Sequence, residues 1–573
     1  MSQTSPAAAT SGAPTPDSDI SAPMSHRGVL EALTGLLLGM FVSMLASTVV
    51  SSSLPVIVHD LAGTERDYTW VITAMLLTSA ISTPVWGKLA DLFNRKVLFQ
   101  IAIIVFVLAS ATAGFAQNPG MMIASRAVQG LGAGGLAALS QVIMADIISP
   151  RDRGRYMGLF GAVMAVSTVG GPLLGGVITD SLGWRWNFFV ALPVAVLALI
   201  MVQLTLHLRP NQQRKVSIDH AGIVLLGTSV SLLLIWVTNA GHDYGWWSFT
   251  TAWMVGGALI AAIAFVVVEL RSSEPLIPLS LFRSRTFSLS VLASIATGIA
   301  MFGSSVFLSQ YMQLARGASP TMAGVMTIPM VAGLLLSSMV VGQLISRYGI
   351  WKPYVVAGSV SLIAGLYLLT TIHYDTNFWL VSIYMFLMGA GVGMTMQNLV
   401  LVVQNTTGAS LIGVASSGVT FFRSLGGTIG VSVMGAAMAT RTASLAQSRQ
   451  SDIGVALKSL GEQGGYWAQQ LASGAVPRVS EMPPALRVVL EDIYSGGITH
   501  SFWIAVPVAA VSLVAVLLLP NAPLTRMTAA ERRDAGERDL AVVSVPQGME
   551  VLDHEASPTP VLVEDDDSDR LKV

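Results

Sequence analysis

The chain has 573 residues, of which 53% are hydrophobic and 11% are charged, and its mean hydropathy is +0.66. Soluble globular proteins carry about 25% charged residues, so this composition excludes a chain of ordinary soluble domains and predicts an all-α integral membrane protein. The net charge of −1 indicates no particular partner. The absence of cysteine excludes disulfides, thiolate metal sites and cysteine catalysis.

Fourteen apolar runs are predicted as membrane-spanning helices, because each is long enough to cross about 30 Å of hydrocarbon. They form a first set of six, an inserted pair and a second set of six. The first set covers about residues 29–58, 69–87, 97–116, 121–147, 155–180 and 185–207. The pair and the second set cover about residues 219–240, 248–270, 286–314, 320–346, 353–373, 377–404, 409–440 and 499–520.

These runs divide the chain into five regions. The first apolar run is too long for the core of a signal peptide, and the polar tails are predicted to be disordered. In a long loop at 441–498, which falls on the outer face, we expect short amphipathic helices lying on the bundle or the membrane surface. The regions are an N-terminal tail at 1–28, a six-helix bundle at 29–207, a helix pair at 208–271, a second six-helix bundle at 272–524 with an outer loop at 441–498, and an acidic C-terminal tail at 525–573.

The distribution of lysine and arginine predicts the orientation. The short loops on one side hold fourteen basic residues, and those on the opposite side hold three. Because basic loops stay in the cytoplasm, both termini are predicted to be cytoplasmic in a multi-pass plasma-membrane protein. The preference for Ala, Gly and Val, and for Arg over Lys, is typical of a GC-rich bacterial genome.

The two sets of six share sequence features in the same order. Glycine-rich runs occur at 130–134 and at 389–393, and a basic loop follows the second span of each set, at 87–96 and at 342–352. Glycines at helical spacing let helices approach closely. The series favours an ancestral duplication, which predicts two pseudo-symmetric bundles with substrate held between them near the midplane.

The first basic loop reads GKLADLFNRK at residues 87–96. Charge is costly at membrane depth, so the loop must lie at the water interface. An ordinary positively charged cytoplasmic turn is one interpretation. An aspartate near a helix start would also complement the helix dipole, and a nearby arginine would keep it ionised.

This loop resembles that of the major facilitator superfamily, specifically its fourteen-span drug–proton antiporter branch, where it reads roughly Gly-x-Leu-Ala-Asp-Arg-x-Gly-Arg-Lys. Asn94 stands at a glycine position, where asparagine can also take positive φ. The resemblance implies a conformational latch that holds one state closed on the cytoplasmic side. The latch residues are Gly87, Asp91, Arg95 and Lys96; Leu89 and Ala90 also match the pattern, and Leu92 departs from it.

Span four carries Arg126-x-x-Gln129-Gly130. A guanidinium about a turn inside a span is costly and usually functional. An arginine that extends to the outer interface is the alternative. The family places Arg, Gln and Gly at the same spacing, so the resemblance implies that Arg126 and Gln129 take part in proton transfer.

Span five carries GPLLGG at residues 171–176. Proline kinks a helix and glycines permit tight packing, so a purely structural kink is one interpretation. The string is similar to the antiporter signature Gly-x-x-x-Gly-Pro-x-x-Gly-Gly, with Ser167 in place of the first glycine. The resemblance implies an antiporter motif formed by Gly171, Pro172, Gly175 and Gly176.

The carboxylate that the branch usually carries in span one is replaced by Ala46. The other spans hold acidic residues only near their ends. Proton coupling would then depend on groups at a cavity mouth. Glu31 and Asp60 are the proton-transfer candidates of this kind, and Asp91 and His59 are further titratable groups there.

Polar side chains within the second set of spans are candidates for the substrate cavity, with packing as the alternative for each. The 27 methionines suit a promiscuous surface. No catalytic triad, phosphate loop or metal-ligand spacing occurs in the sequence, so we expect no enzyme activity, cofactor, metal or ATP-driven pump. The cavity candidates are Gln310, Tyr311, Gln397, Asn398 and Arg423.

The leading hypothesis is a proton-coupled exporter of amphipathic or cationic drugs that works by alternating access. Its expected partners are a small amphipathic substrate, protons and membrane lipid, with no nucleic acid; an accessory protein at the outer loop stays open. One alternative is a dedicated exporter of an endogenous metabolite, antibiotic or lipid. Another is a non-transporting sensor or scaffold on a transporter fold, which the missing carboxylate favours and the gating motifs disfavour. An importer is disfavoured by the Gly-Pro string.

Overall fold

The computed structural model describes residues 26–63, 65–208, 218–239, 244–472, 482–533 and 535. Fourteen of its helices have 15 residues or more, and we label them α1 to α14. The first seven are α1 His26–Asp60, α2 Glu65–Leu92, α3 Arg95–Gly114, α4 Pro119–Ile147, α5 Pro150–Leu182, α6 Ala191–Thr205 and α7 His220–Asn239. The others are α8 Phe249–Arg271, α9 Arg285–Gln310, α10 Ile328–Tyr348, α11 Lys352–Leu369, α12 Phe378–Thr406, α13 Ile412–Ser448 and α14 Pro484–Leu518.

Twelve segments in the described part of the chain are long and apolar enough to cross a membrane. They include every labelled helix except α5 and α13. The expected all-helical membrane fold is therefore confirmed, and the number of fourteen spans stays a prediction.

Local signals explain where several helices begin and end. The Asn94 side chain accepts hydrogen bonds from the backbone N–H groups of Lys96 and Val97, and so caps α3. Its φ is −65°, so the left-handed conformation allowed by the sequence is not the one adopted. Ser149 caps α5 in the same way, and Gly349, at φ +74°, ends α10 in the left-handed region that favours glycine.

The helix pairs that pack together recur in the two sets of six. In the first set α2 and α3 pack on α4, and α1 packs on α5 and α6. In the second set α10 and α11 pack on α12, and α9 packs on α13 and α14. A Cβ atom at Gly130 in α4 would overlap Thr78, and one at Gly389 in α12 would overlap the Met330 carbonyl, so these glycines permit the close approach.

Two helix pairs make the largest contacts between the sets. Helix α2 packs on α13, and α5 packs on α10. The inserted helices α7 and α8 pack on each other, and α7 contacts α2 and α13 from the outside. We call the end of the bundle where α2 ends and α13 begins the latch face, and the opposite end the far face.

The segment between α13 and α14 differs from the outer loop expected at 441–498. Helix α13 continues to Ser448, two short helices follow at Gln450–Ser459 and Glu462–Ala472, and α14 already begins at Pro484. Hydropathy missed the start of α14 because that part carries polar residues. Arg487 and Glu491 pair there one turn apart, at 2.8 Å, which suits a helix extending beyond the apolar stretch.

The beginning of the C-terminal tail packs against the bundle, which corrects the expectation of a disordered tail from residue 525. Arg532 donates to the Gln404 carbonyl at 3.0 Å, and Arg533 donates to Asp146 Oδ1 at 2.8 Å. Residues 1–25 and 536–573, which hold the rest of both predicted tails, lie outside the described residues.

Candidate functional site

Asp91 joins the two sets of helices at the latch face. Its Oδ1 accepts from the backbone N–H of Gly413 and its Oδ2 from that of Val414, both at 2.9 Å. These amides belong to the first turn of α13, where the partial positive charge of a helix favours an anion. The helix start that Asp91 complements is therefore that of α13, and not one in its own loop.

Arg95 balances two carboxylates beside this contact. Its side chain is 4% exposed, and it donates to Asp91 Oδ1 at 3.3 Å, to Asp146 and to the Ala90 carbonyl at 2.8 Å. Arg533 supplies a second guanidinium to Asp146; burial lowers the pKa of Arg533, and the Asp146 carboxylate opposes that shift. Two carboxylates and two guanidiniums thus form one compact cluster.

The backbones of α2 and α13 can approach because both carry glycine at the contact. A Cβ atom at Gly87 would overlap the Ser417 side chain, and one at Gly413 would overlap the Gly87 carbonyl and the Asp91 carboxylate. Any other residue at either position would push the two helices apart and lengthen the bonds to Asp91.

Two lysines of the same loop point away from the Asp91 contact. Lys96 Nζ donates to the Gln203 carbonyl near the end of α6, at 2.9 Å, so it lies outside the cluster to which the sequence assigned it. Lys88 Nζ donates to Glu274 Oε2 at 2.7 Å and ties the loop to the segment after α8. The inserted helix pair is therefore anchored to the loop.

A second group of polar side chains crosses between the sets on the latch side. Arg153 donates to Gln404 Oε1, and Gln404 Nε2 donates to Ser416 Oγ at 2.7 Å. Gln141 donates to Gln397 Oε1 at 3.1 Å. The sequence predicted Gln397 in the substrate cavity and gave no sign of the other contacts. A buried polar residue near a span end was the available signal, but its partner lies more than 250 positions away.

An apolar cavity of about 140 Å³ lies between the two sets of helices. Helix α5 provides one wall, and α9, α10 and α12 provide the others. Its lining is rich in methionine, which adapts to ligands of different shape. The lining residues are Met164, Met301, Phe302, Ser305, Met330, Val331, Leu334, Met388, Gly389 and Val392.

The structure brings Arg126 and Gln129 together. Arg126 donates to Gln129 Oε1 at 2.6 Å and to the Val71 carbonyl at 3.2 Å, and Gln129 donates to Ser110 Oγ at 2.5 Å. All of these side-chain contacts are buried and lie within the first set. The guanidinium therefore faces the interior and does not extend to the interface.

The other two proton-transfer candidates lie at opposite ends of α1. Glu31 is exposed at the latch face, where it accepts from Arg27 Nε at 3.0 Å. Asp60 lies at the far face and accepts from Trp184 Nε1 at 2.9 Å. Neither carboxylate is placed with Arg126 by the structure.

The Gly-Pro string lies where α5 crosses α1. A Cβ atom at Gly171 would overlap Thr48, whose hydroxyl donates to the Ser167 carbonyl at 2.8 Å. The Gly175 carbonyl accepts from Ser53 at 3.2 Å, whereas Gly176 has open space around it. Pro172 lies between them within α5.

Asn187 is a buried polar residue that sequence reasoning missed. Its Nδ2 donates to Ser53 Oγ at 2.7 Å and to Thr179 Oγ1 at 2.8 Å, so it connects the far-side ends of α1 and α5. The residue sits between aromatic residues in the WRWNFF string at 184–189, which gave no sign of its partners.

The predicted substrate residues do not share one site. Tyr311 is buried and donates to the His373 carbonyl at 2.5 Å, and Asn398 donates to Met394 in its own helix at 2.7 Å. Arg423 is buried and donates to the Met396 carbonyl at 3.3 Å. Gln310, at the end of α9, is partly buried. None of the predicted residues is among the residues lining the cavity.

A helical membrane protein whose two helix sets meet at a charged contact and enclose an apolar cavity has the construction of a secondary transporter. The Major Facilitator Superfamily profile matches residues 36–431. The chain therefore belongs to the major facilitator superfamily and is a membrane transporter, not an enzyme.

Relatives and solved structures agree with this membership. The multidrug transporter protein MdtP of Bacillus subtilis is 36% identical over 77% of this chain and 80% of its own. Efflux pump FUS6 of Gibberella fujikuroi is 31% identical over 79% and 83%. The proton:xylose symporter XylE has the same fold, with a TM-score of 0.57 and 13% identity over 89% of this chain and 100% of its own.

Proposed function

We propose that this protein is a proton-coupled antiporter that exports amphipathic small molecules by alternating access. The observation that carries the proposal is the contact of Asp91 with the first turn of α13, which joins the two helix sets and closes the latch face. Relatives named multidrug transporter and efflux pump support drugs as the cargo. The apolar cavity between the sets supports an amphipathic one.

The positive charge of the loops supports a cytoplasmic latch face. Of the fourteen basic residues counted on the richer side, the eleven that the structure describes lie at that face, and the short loops at the far face hold three. In this orientation the structure is closed toward the cytoplasm. Opening requires breaking the bonds to Asp91 and separating α2 from α13.

The recurring helix pairs support two pseudo-symmetric bundles. Helices α1 to α6 and α9 to α14 use the same pairs for their internal packing, and they meet through α2 with α13 and α5 with α10. Rocking of one bundle against the other would change these two contacts and leave the internal pairs intact. On this proposal α5 and α13 also cross the membrane, which gives fourteen spans.

The coupling proton is proposed to bind a carboxylate at the latch face. Ala46 is 2% exposed within the apolar core, and the described spans hold no carboxylate at mid-depth. Asp91 and Asp146 are buried carboxylates that both contact Arg95. Protonation of Asp91 would remove the charge that the α13 amides and Arg95 bind, and so would favour opening.

The available energy is sufficient for such an exchange. Export of a neutral solute against a 100-fold gradient costs about 2.7 kcal/mol, since each tenfold is about 1.4 kcal/mol. One proton moving through 100 mV supplies about 2.3 kcal/mol, and a modest pH difference supplies the rest. One proton per neutral molecule is therefore nearly enough.

Uptake into everted membrane vesicles with an acid interior tests the proposal. Rhodamine 123 and fluorescein serve as probes, and the dye content is measured after lysis at fixed pH. We expect accumulation of at least one dye that a protonophore abolishes and that vesicles lacking the protein do not show. Asp91→Asn should lower the uptake rate about tenfold, because a charge-assisted contact is lost.

Asp375→Asn is the matched control, since it makes the same chemical change at an exposed position on the far face. Uptake that a protonophore does not change would exclude proton coupling. Unchanged uptake in Asp91→Asn would exclude the latch role proposed for Asp91. Because the chain lacks cysteine, orientation can be read from single cysteines. An impermeant maleimide added to intact cells should label Ser451→Cys and spare Ser284→Cys.

A further inference from the structure

We infer that Arg423 binds the anionic group of the exported molecule, so that the preferred substrates are amphiphilic acids and not cations. The inference rests on the proposed function and names its substrate class. It replaces the cationic drugs expected from the sequence.

Arg423 lies deep within the bundle. It is eleven residues past Ile412, the first residue of α13, which places its backbone about 16 Å along the helix at 1.5 Å per residue. The residue is 5% exposed. Its single described hydrogen bond is from Nη1 to the Met396 carbonyl in α12, at 3.3 Å.

No described carboxylate lies within 4.0 Å of this guanidinium; the ion pairs of the described residues lie at the two ends of the bundle. An arginine stays charged in a protein, and burying an isolated charge is expensive unless it is paired. One long bond to a backbone carbonyl does not neutralise it. A bound anion would supply the missing partner.

Arg423 packs against residues of α9 and α12 that lie one helical turn from the lining of the apolar cavity. Arg423 contacts Met396 in α12 and packs against Gly298 in α9, where an added Cβ would lie 3.1 Å from Arg423 Cγ. Met301 in α9 and Val392 in α12 line the cavity. Met301 is three residues from Gly298, and Val392 is four residues from Met396, which is about one helical turn in each case. Because α9 and α12 run antiparallel, both lining residues lie on the far-face side of the residues that contact Arg423.

This arrangement matches an amphiphile with an acidic head. The methionines and Phe302 would contact its apolar body, and the guanidinium one turn below would bind a carboxylate, sulfonate or phosphate, which arginine holds with two parallel hydrogen bonds. A cation at the same position would meet a like charge and find no carboxylate among the described mid-depth residues.

Arg126, the other arginine deep in the bundle, fits this role less well. It is hydrogen-bonded to Gln129 and to the Val71 carbonyl, and neither its own helix nor that of Val71 lines the cavity. Arg423 instead packs on two helices that line it, α9 and α12.

Equilibrium binding of two dyes with the same ring system tests the inference without a gradient. Fluorescein is an anion and rhodamine 123 a cation under mildly alkaline conditions. Their anisotropy is measured with the full-length protein in nanodiscs of phosphatidylcholine, which supplies no anionic lipid. We expect fluorescein to bind about tenfold more tightly than rhodamine 123, and Arg423→Gln to weaken fluorescein binding by about tenfold to 100-fold while rhodamine 123 binding is not weakened.

Arg441→Gln is the matched control, because Arg441 is exposed on the same helix. It should bind both dyes as the wild type does. Arg423→Lys keeps the charge but loses the two-bond geometry, so it should keep the preference for fluorescein with weaker binding. If Arg423→Gln does not fold, Arg423→Lys serves as the test variant in its place.

Tighter binding of rhodamine 123 by the wild type would overturn the inference, as would equal weakening of both dyes in a variant with an unchanged melting temperature. Gradient-driven uptake of rhodamine 123 alone would overturn the inference and leave the proposed export intact. Selective fluorescein binding without any gradient-driven uptake would support the inference and overturn the export mechanism.

Discussion

The two contacts that join the helix sets are built differently at the latch face. Where α2 meets α13, the Asp91 carboxylate binds two backbone amides, and glycines on both helices bring the backbones together. Where α10 meets α5, the corresponding loop carries Ser346 at the position of Asp91, counted from Gly342 and Gly87. A polar cleft of about 680 Å³ remains there. The first contact joins its two helices closely, and the second leaves a polar cleft between its helices.

The charges around the cleft explain the difference. Four arginines line it, with Asp152 as the one acid of the lining, and Asp152 accepts from the Ser149 hydroxyl at the start of α5. Like charges repel weakly in water and are screened by salt. The arginines are Arg151, Arg155, Arg347 and Arg526. The contact between α2 and α13 is therefore stronger than that between α5 and α10, and variants at the two contacts should differ in effect.

Gly87→Ala should have the largest effect. The added Cβ would overlap the Ser417 side chain and force α2 away from α13. Overpacking of this kind costs about 1–3 kcal/mol, so the rate of gradient-driven dye uptake should fall about tenfold or more. Vesicle uptake at matched protein amounts measures it.

A second change on α13 shows whether this overlap is the cause. Ser417→Gly removes the two nearest atoms that the new Cβ meets and leaves the Gly413 carbonyl oxygen, 2.8 Å away, so the double variant should recover part of the rate. Gly256→Ala is the control, because nothing lies within 4 Å of a Cβ there. A double variant as slow as Gly87→Ala alone would show that the overlap with Ser417 is not what the alanine disturbs.

Ser346→Asp should have an intermediate effect. It places a carboxylate in the cleft with Arg151 at the first turn of α5, as Asp91 is placed at α13. The attraction to a helix start and nearby arginines is about 0.3–1 kcal/mol, so opening and uptake should slow by about twofold to fivefold. Ser451→Asp, at an exposed site on the far face, should leave uptake unchanged. Faster uptake in Ser346→Asp would contradict the assignment of the cleft as the weaker contact.

Arg347→Gln should have the smallest effect. Removing one of four like charges should stabilise the closed structure by less than about 1 kcal/mol at low salt, and by nothing measurable at high salt. Thermal unfolding in detergent at the two salt concentrations measures the change, with Arg283→Gln at an exposed loop as the control. A gain that survives high salt would require a cause other than charge repulsion.

The sequence predicted the membrane class, the helices and the family because these depend on local features. Apolar length marks a span, and the GKLADLFNRK and GPLLGG strings lie within single segments. The observed helix boundaries differ most from the predicted ones where polar residues continue a helix beyond its apolar stretch, as at Pro484. Asn94 shows the same limit, because a glycine-like position turned out to be a helix cap.

The candidate site was predicted only in part. Asp91 and Arg95 do contact each other, but Lys96 bonds to Gln203 instead. Tyr311 and Asn398 use their polar groups on nearby backbone carbonyls. A polar residue in a span can face a cavity, a neighbouring helix or its own backbone, and its type alone does not distinguish these.

By itself the sequence determined a polytopic helical transporter of the major facilitator superfamily, since hydrophobic length and short motifs are properties of contiguous residues. Only the tertiary structure decided that Asp91 binds the start of a helix 322 residues later, that Arg533 completes its charge cluster, and that Arg423 packs one helical turn from residues of the cavity lining. These contacts join distant parts of the chain, and their geometry exists only once the helices have packed.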